Sequence, residues 1–139
     1  MTFPAELEVV VEQPRASFIK RREDGSIDFV SPLPCPFNYG SVPGTVAPDG
    51  DREDALVLGR RLSKGTRLTL PVLGRAHFVD AGVYDGKWVC GSALGSTDRQ
   101  QIVLFFSVYA WAKRQLNRRR GLAGATTFAG LELAGARGA

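Results

Sequence analysis

Short apolar runs parted by turn residues organise most of the chain. Glu8-Val9-Val10-Val11-Glu12 predicts a strand, because β-branched residues dominate it. Segment 17–20 predicts a second strand. Glu23-Asp24-Gly25-Ser26 is a turn, and the run over 27–30 returns from it, so a hairpin is expected there. Segment 55–58 predicts a short buried strand. Segments 67–72 and 75–79 predict two more, parted by a break at Gly74, and 87–90 predicts another between Gly86 and Gly91. Short strands at this spacing predict a small closed or partly closed β-barrel.

Two stretches depart from that pattern. Segment 32–48 carries Pro32, Pro34, Pro36, Pro43 and Pro48, with Gly40 and Gly44. It is expected to be neither a regular helix nor a central strand. Its Phe37, Tyr39, Val42 and Val46 argue instead for a long ordered loop of functional kind. Towards the C-terminus the period changes. Thr97 and Gln100 have capping-box spacing. Ile102, Phe105, Phe106, Tyr109 and Leu116 follow at helical spacing, and Gly121 is a stop. One amphipathic helix is expected, with Arg118, Arg119 and Arg120 in its last turn, where cations suit the dipole. The tail over 122–139 is rich in Gly and Ala and is expected to pack loosely. No repeat is visible, so 1–139 is expected to be a single domain of the mainly β (α+β) class.

Composition narrows the function little. Of 139 residues, 44% are hydrophobic and 23% charged, ordinary values for a chain that buries a core. A net charge of +4 suits an anionic partner: phosphate, nucleic acid or an acidic membrane surface. Cys35 and Cys90 have neither a CxxC nor a zinc spacing, and a pair of thiols is expected. Met1-Thr2-Phe3-Pro4 has no basic segment leading into an apolar run, so no signal peptide is expected. The longest apolar stretch, 102–106, is too short to span a membrane. A cytoplasmic location follows as the expectation.

Candidate chemistry lies in two acidic groups. Asp49-Gly50-Asp51-Arg52-Glu53-Asp54 sets three aspartates just before a buried strand. They repel one another unless a cation neutralises them, and Mg²⁺ prefers such oxygen ligands. A solvated acidic turn is the alternative. The downstream Glu of an EF-hand is missing. In the second group Asp80 ends a strand, a glycine turn follows, and Asp85 and Lys87 open the next strand. Alone, it also reads as a plain hairpin turn.

Together these groups resemble the family I inorganic pyrophosphatases. The match runs from about Glu12 to Tyr109. Its strongest part is Pro36-Phe37-Asn38-Tyr39-Gly40-Ser41-Val42-Pro43-Gly44-Thr45, then Asp49-Gly50-Asp51 and Asp54-Ala55-Leu56-Val57-Leu58. These are similar to the family's Pro-x-Asn-Tyr-Gly-x-x-Pro-Gly-Thr and Asp-Gly-Asp-x-x-Asp-x-Leu-Val segments. Asp80, Asp85 and Lys87 keep its Asp-x₄-Asp-x-Lys spacing. Phe105, Phe106 and Tyr109 are similar to its last active-site helix, and Glu12-Gln13-Pro14 to an early Glu-Ile-Pro. The resemblance implies a small five-stranded OB-like β-barrel with a C-terminal amphipathic helix. It implies Mg²⁺-dependent hydrolysis of pyrophosphate to two phosphates and a homo-oligomer. Asp49, Asp54 and Asp85 would hold the tightest metal, with Asp54 bridging to a second. Asp80 and Asp85 would hold a further metal arriving with substrate, and Glu12 joins the metal side. Asp51 would orient or deprotonate the attacking water. Lys20, Tyr39, Lys87 and Tyr109 would contact phosphate oxygens.

The chain also departs from that pattern. Lys-Tyr-Glu becomes Lys20-Arg21-Arg22, Asp-Arg becomes Asp28-Phe29, Cys35 replaces a Tyr, and Ala110 replaces a Lys. Two cations are thereby missing from the leaving-phosphate side. Each such contact contributes roughly 1.5–3 kcal/mol, so turnover is expected to fall roughly 10²–10⁴-fold unless Arg21, Arg22 or Lys113 substitutes. His77 reads as structural, and Trp88 and Trp111 as core or interface residues. Two other functions compete: hydrolysis of another phosphoanhydride or phosphoester, and a pyrophosphatase-like binding module. A nucleic-acid partner is disfavoured, because no strand-borne aromatic platform is evident.

Overall fold

The structure is a computed structural model that describes residues 2–21 and 24–135. Arg22 lies outside the described residues, as do the side chains of Arg21 and Phe29. Strands β1 (Glu6–Gln13), β2 (Ile19–Arg21), β3 (Ile27–Val30), β4 (Asn38–Val42) and β5 (Glu53–Val57) come first. The long β6 (Arg67–Asp80), β7 (Val83–Tyr84) and β8 (Lys87–Cys90) follow, then helix α1 (Ser96–Arg119) and β9 (Thr127–Leu133).

Five strands close on themselves. β1 pairs with β4, β4 with β5, and both pairs are antiparallel. β5 runs parallel to β8, and β8 is antiparallel to β6. The first half of β6 then returns to β1, with Leu7 opposite Leu70. This ring is the closed barrel expected from the strand pattern, and it matches the OB-like form that the resemblance implies. β2 and β3 form the expected hairpin beside it.

Both faces of the ring are covered. Val9, Val42, Ala55, Val57, Val72, Trp88 and Cys90, drawn from all five strands, form one apolar cluster. Their neighbours on the other face, Tyr39, Leu56, Ala76, Phe78 and Val89, pack against Ile102, Phe105, Phe106, Tyr109 and Ala110 of α1. Side chains alternate across a strand, so β5 and β8 must be apolar at successive positions.

The structure corrects four expectations. A central strand, β4, lies inside the proline-rich segment. Pro36 and Pro43 bracket it, and 38–42 needs no proline amide in the ladder. Gly40 lets β1 approach: a Cβ there would run into the Val10 carbonyl. β6 continues through Gly74, where the ladder with β8 shifts register. A Cβ at Gly74 would lie 2.6 Å from the Glu132 carbonyl oxygen, so that glycine admits β9 and does not end a strand. The tail is not loose over 127–133. It forms β9 along β6, and Phe128 stacks on Phe106 at 5.8 Å. Finally, α1 starts at Ser96. The Gly95 amide donates to Asp98 Oδ2 at 3.0 Å, so Asp98 is the capping carboxylate, not Gln100.

Gly40→Ala should destabilise the fold by about 1–3 kcal/mol, since backbone must move to admit one methyl. A lower urea midpoint with unchanged slope is the expected result. An unshifted midpoint would show that the β1–β4 approach does not need glycine.

Candidate active site

The parallel pairing of β5 and β8 sets Asp54 opposite Lys87. Lys87 is fully buried, and its ammonium donates to Asp54 Oδ2 at 3.1 Å and contacts Asp85 Oδ2 at 2.8 Å. From β4 the Tyr39 hydroxyl donates to the same Asp54 oxygen at 2.8 Å. Lys20 Nζ lies 3.9 Å from that oxygen and 5.2 Å from the centre of the Tyr39 ring. Lys20, Tyr39, Phe105 and Tyr109 line one small cavity, with Cys35 in its wall.

These contacts set the charges. Burial pushes the Asp54 carboxyl up, but Lys87 and then Lys20, with hydrogen bonds from Tyr39 and Lys87, outweigh it. The result is a pKa of about 2, so Asp54 is ionised at neutral pH. Burial, then the charges of Asp54 and Asp85, push the Tyr39 phenol well up, so it remains a donor. Burial also works against an ionised Asp80. The Asn117 hydrogen bond and Lys113 offset it and hold the carboxyl below its ordinary value, and the charge of Lys20 adds to this.

The other predicted residues are placed as follows. Asp49 and Asp51 lie on the exposed turn before β5, where the Asp51 amide donates to Asp49 Oδ1 at 3.0 Å. Gly50 takes φ +91° in that turn, a conformation that suits glycine. Glu12 lines a surface cleft with Pro14 and Lys64, a cleft that includes none of the other site residues. Asp80 meets Lys113 Nζ at 3.2 Å and Asn117 Nδ2 at 2.8 Å. Lys113, one of the cations named above as a candidate substitute, is buried. Ala110 belongs to the apolar cluster under α1. His77 bonds Tyr84 Oη through Nδ1 at 2.7 Å and Glu132 through Nε2 at 3.0 Å. Trp88 is core, and Trp111 is exposed. Cys35 and Cys90 are free buried thiols, each pushed up to about 12 by burial.

The sequence reading missed Asn117 and Thr126. Asn117 lies one turn beyond Lys113 on the stripe that begins at Ile102, and that spacing was an available signal. Thr126 gave none, because its partners are distant in sequence.

Among the described residues, no three His, Cys, Asp or Glu side chains stand close enough to hold a metal ion. Asp54 and Asp85 share the Lys87 ammonium instead. The donor set nevertheless fits a hard divalent cation in kind. Its members are carboxylates, at least one of them ionised, with no thiolate or imidazole near them. Lys87 would have to yield an oxygen to admit the ion.

The closed OB-like ring thus gathers Lys20, Lys87 and Tyr39 around the ionised carboxylate of Asp54. The family model for inorganic pyrophosphatase matches residues 9–102, and the chain belongs to the inorganic pyrophosphatase family. The inorganic pyrophosphatase of Saccharolobus solfataricus is 35% identical over 92 residues, covering 60% of this chain and 54% of that protein. That of Haemophilus influenzae is 45% identical over 56 residues, 40% of this chain and 32% of that protein. This chain thus spans about half, or less, of these relatives' own length. The inorganic pyrophosphatase structure from Thermus thermophilus superposes with TM-score 0.74 at 27% identity, over 96% of this chain and 85% of that one.

Because the folded-state pKa of Asp54 is depressed, its ionisation stabilises the fold above the unfolded value near 4. That stability should be lost as pH falls from about 4 towards about 2. In chelator-treated protein, Asp54→Asn should be on the order of 2 kcal/mol less stable at pH 7, and the gap should close across this window. A gap unchanged at pH 2 would detach Asp54 from Lys87 and Lys20.

Proposed function

We propose that this chain hydrolyses inorganic pyrophosphate to two phosphates with Mg²⁺. Supporting this most directly is the convergence of Tyr39, Lys87 and Lys20 on the ionised Asp54. Asp49, Asp54 and Asp85 would hold the ion, with Asp80 and, from its own cleft, Glu12 as further carboxylates on the metal side. Bound Mg²⁺ supplies positive charge that draws the substrate oxygens in and eases deprotonation of water. Lys20, Lys87, Tyr39 and Tyr109 would donate to phosphate oxygens as charge builds on the leaving group. Asp51, exposed on its turn, would take the proton of the attacking water. The bridging P–O bond breaks, and the leaving phosphate is protonated from solvent.

One observation favours a neighbouring reading. Ala110 is core, so α1 offers no cation at that position. Another phosphoanhydride or phosphoester, less dependent on that charge, then becomes the competing substrate. We place the chain in the cytoplasm; no helix among the described residues is long and apolar enough to cross a membrane. We also assign a homo-oligomer. Val103, Leu104 and Trp111 form an exposed apolar stripe on α1, and light scattering at micromolar concentration should return more than a monomer mass.

Phosphate release from pyrophosphate, polyphosphate and nucleotides should be greatest for pyrophosphate, require Mg²⁺ and stop with chelator. Asp51→Asn should lower kcat about 10²-fold or more, because the amide cannot accept the proton, while calorimetric Mg²⁺ affinity stays close to wild type. Equal loss of affinity would make Asp51 a ligand instead. Faster release from a nucleotide or polyphosphate would transfer the function to that substrate.

A further inference from the structure

Side chains alternate across a strand, so Glu53, just before Asp54, and Trp88, just after Lys87, point to the opposite face of the sheet. One side chain on that face, Arg75, touches both of them. Arg75 stands opposite Trp88 in the β6–β8 ladder, and its guanidinium carbon lies 4.1 Å from the centre of the indole ring. Its Nη2 lies 3.7 Å from Glu53 Oε1. Its Nε donates to Tyr84 Oη at 3.1 Å, and Tyr84 is the residue just before Asp85. Gly86 makes room for this meeting: a Cβ there would run into Tyr84 Oη and lie 2.7 Å from Arg75 Nη2. One guanidinium therefore touches the chain neighbour of Asp54, of Asp85 and of Lys87.

Packing alone does not favour an arginine here. Arg75 is 4% exposed, and its Nη1 is buried with no hydrogen-bond partner among the described residues. Trp88, which it covers, belongs to the apolar cluster inside the barrel. An apolar side chain would fill the same space with no donor left unmet. What the guanidinium adds is direction. Tyr84 Oη accepts from Arg75, so its own proton is directed at His77 Nδ1, 2.7 Å away, and His77 Nε2 then donates to Glu132 Oε1 at 3.0 Å. The Asp85 amide donates to the Phe78 carbonyl at 2.7 Å. Held at its hydroxyl and by the next residue's amide, Tyr84 fixes the point from which Asp85 projects.

We propose that Arg75 is a positioning residue that sets the spacing of Asp54, Asp85 and Lys87 from behind the sheet. This rests on the reading that Asp54 and Asp85 belong to the metal site. Arg75 acts only through Glu53, Tyr84 and Trp88, so its loss loosens the carboxylates without removing any group that would touch metal or phosphate.

Mn²⁺ affinity, measured by EPR beside the thermal midpoint of each variant, tests this. Arg75→Met should bind Mn²⁺ about tenfold more weakly than wild type, the range seen when groups behind a metal ligand are removed. Tyr84→Phe, which deletes only the hydroxyl, should weaken it by a smaller factor. Val72→Ala, on the same strand and in the cluster beside Trp88, should lower the midpoint and leave the affinity unchanged. A folded Arg75→Met with wild-type affinity overturns the proposal, as does a Val72→Ala that loses as much. If Arg75→Met does not fold, Tyr84→Phe decides, and wild-type affinity there overturns it. A metal-free crystal structure of the folded variant supplies a second reading. Lys87 Nζ lies 2.8 Å from Asp85 and 3.1 Å from Asp54, and at least one of these pairs should part beyond the roughly 4 Å reach of an ion pair. Should wild type bind no Mn²⁺, that structure decides alone: parted pairs sustain this inference while the metal-dependent hydrolysis falls, and unmoved pairs overturn it.

Discussion

The parallel pairing of β5 and β8 forces Asp54 and Lys87 together, and the rest of the site depends on that pairing. A fully buried ammonium is tolerated only with charged partners and good geometry. Lys87 has two, Asp54 and Asp85, and the Tyr39 hydroxyl shares the Asp54 oxygen. Removing one member of such a group is destabilising, because a buried charge is left behind. The carboxylates assigned to metal are thus also partners that the metal-free fold relies on. A cation held by Asp54 and Asp85 would therefore compete with Lys87 for the same two carboxylates.

The ring around this pair accounts for its own sequence. β5 and β8 sit between the barrel interior and α1, so Ala55-Leu56-Val57 and Trp88-Val89-Cys90 are buried on both faces. The polar groups Asp54 and Lys87 come at the ends of those runs, where the strands leave the core. Function at strand ends is what allows a small barrel to keep a dry centre and still gather charge. Arg75 follows the same rule less fully. It lies over the Trp88 ring at 4.1 Å and reaches Glu53 at 3.7 Å, a buried charge in the wall of the barrel.

Elements defined by local pattern were legible in the sequence. The β2–β3 hairpin, β8 and the apolar stripe of α1 emerge where residue periodicity and burial agree. The hidden elements were those whose glycines and prolines have tertiary reasons. Gly40 and Gly74 read as loop and break, yet each permits another strand's backbone to approach. β9 was obscured because its Gly/Ala-rich surroundings say nothing about the β6 edge it covers. Within the site, the acidic spacings were legible because Asp49, Asp51 and Asp54 lie together in the chain, as do Asp80, Asp85 and Lys87. The partition of their partners was not, since Lys87 and Lys113 are one residue type with different carboxylates.

That partition turns on three residues of one helix. Tyr109 faces the Lys20 cavity, and Ala110 is packed among aromatic rings. The next inward position, Lys113, lies one turn along and meets the end of β6 rather than the centre of the site. Three residues along a helix is about 4.5 Å of rise, so a charge moved from 110 to 113 reaches a different carboxylate. Ala110 belongs to the apolar cluster between the helix and the sheet, which includes Phe78, while the charge at 113 ties the same helix to the end of β6. Position 110 thus brings no charge, and the lysine at 113 meets Asp80 instead. Under the proposed function, a phosphate beside Tyr39 would therefore have Lys20 and Lys87 as its nearest side-chain cations, and those two would carry the stabilisation that position 110 does not offer.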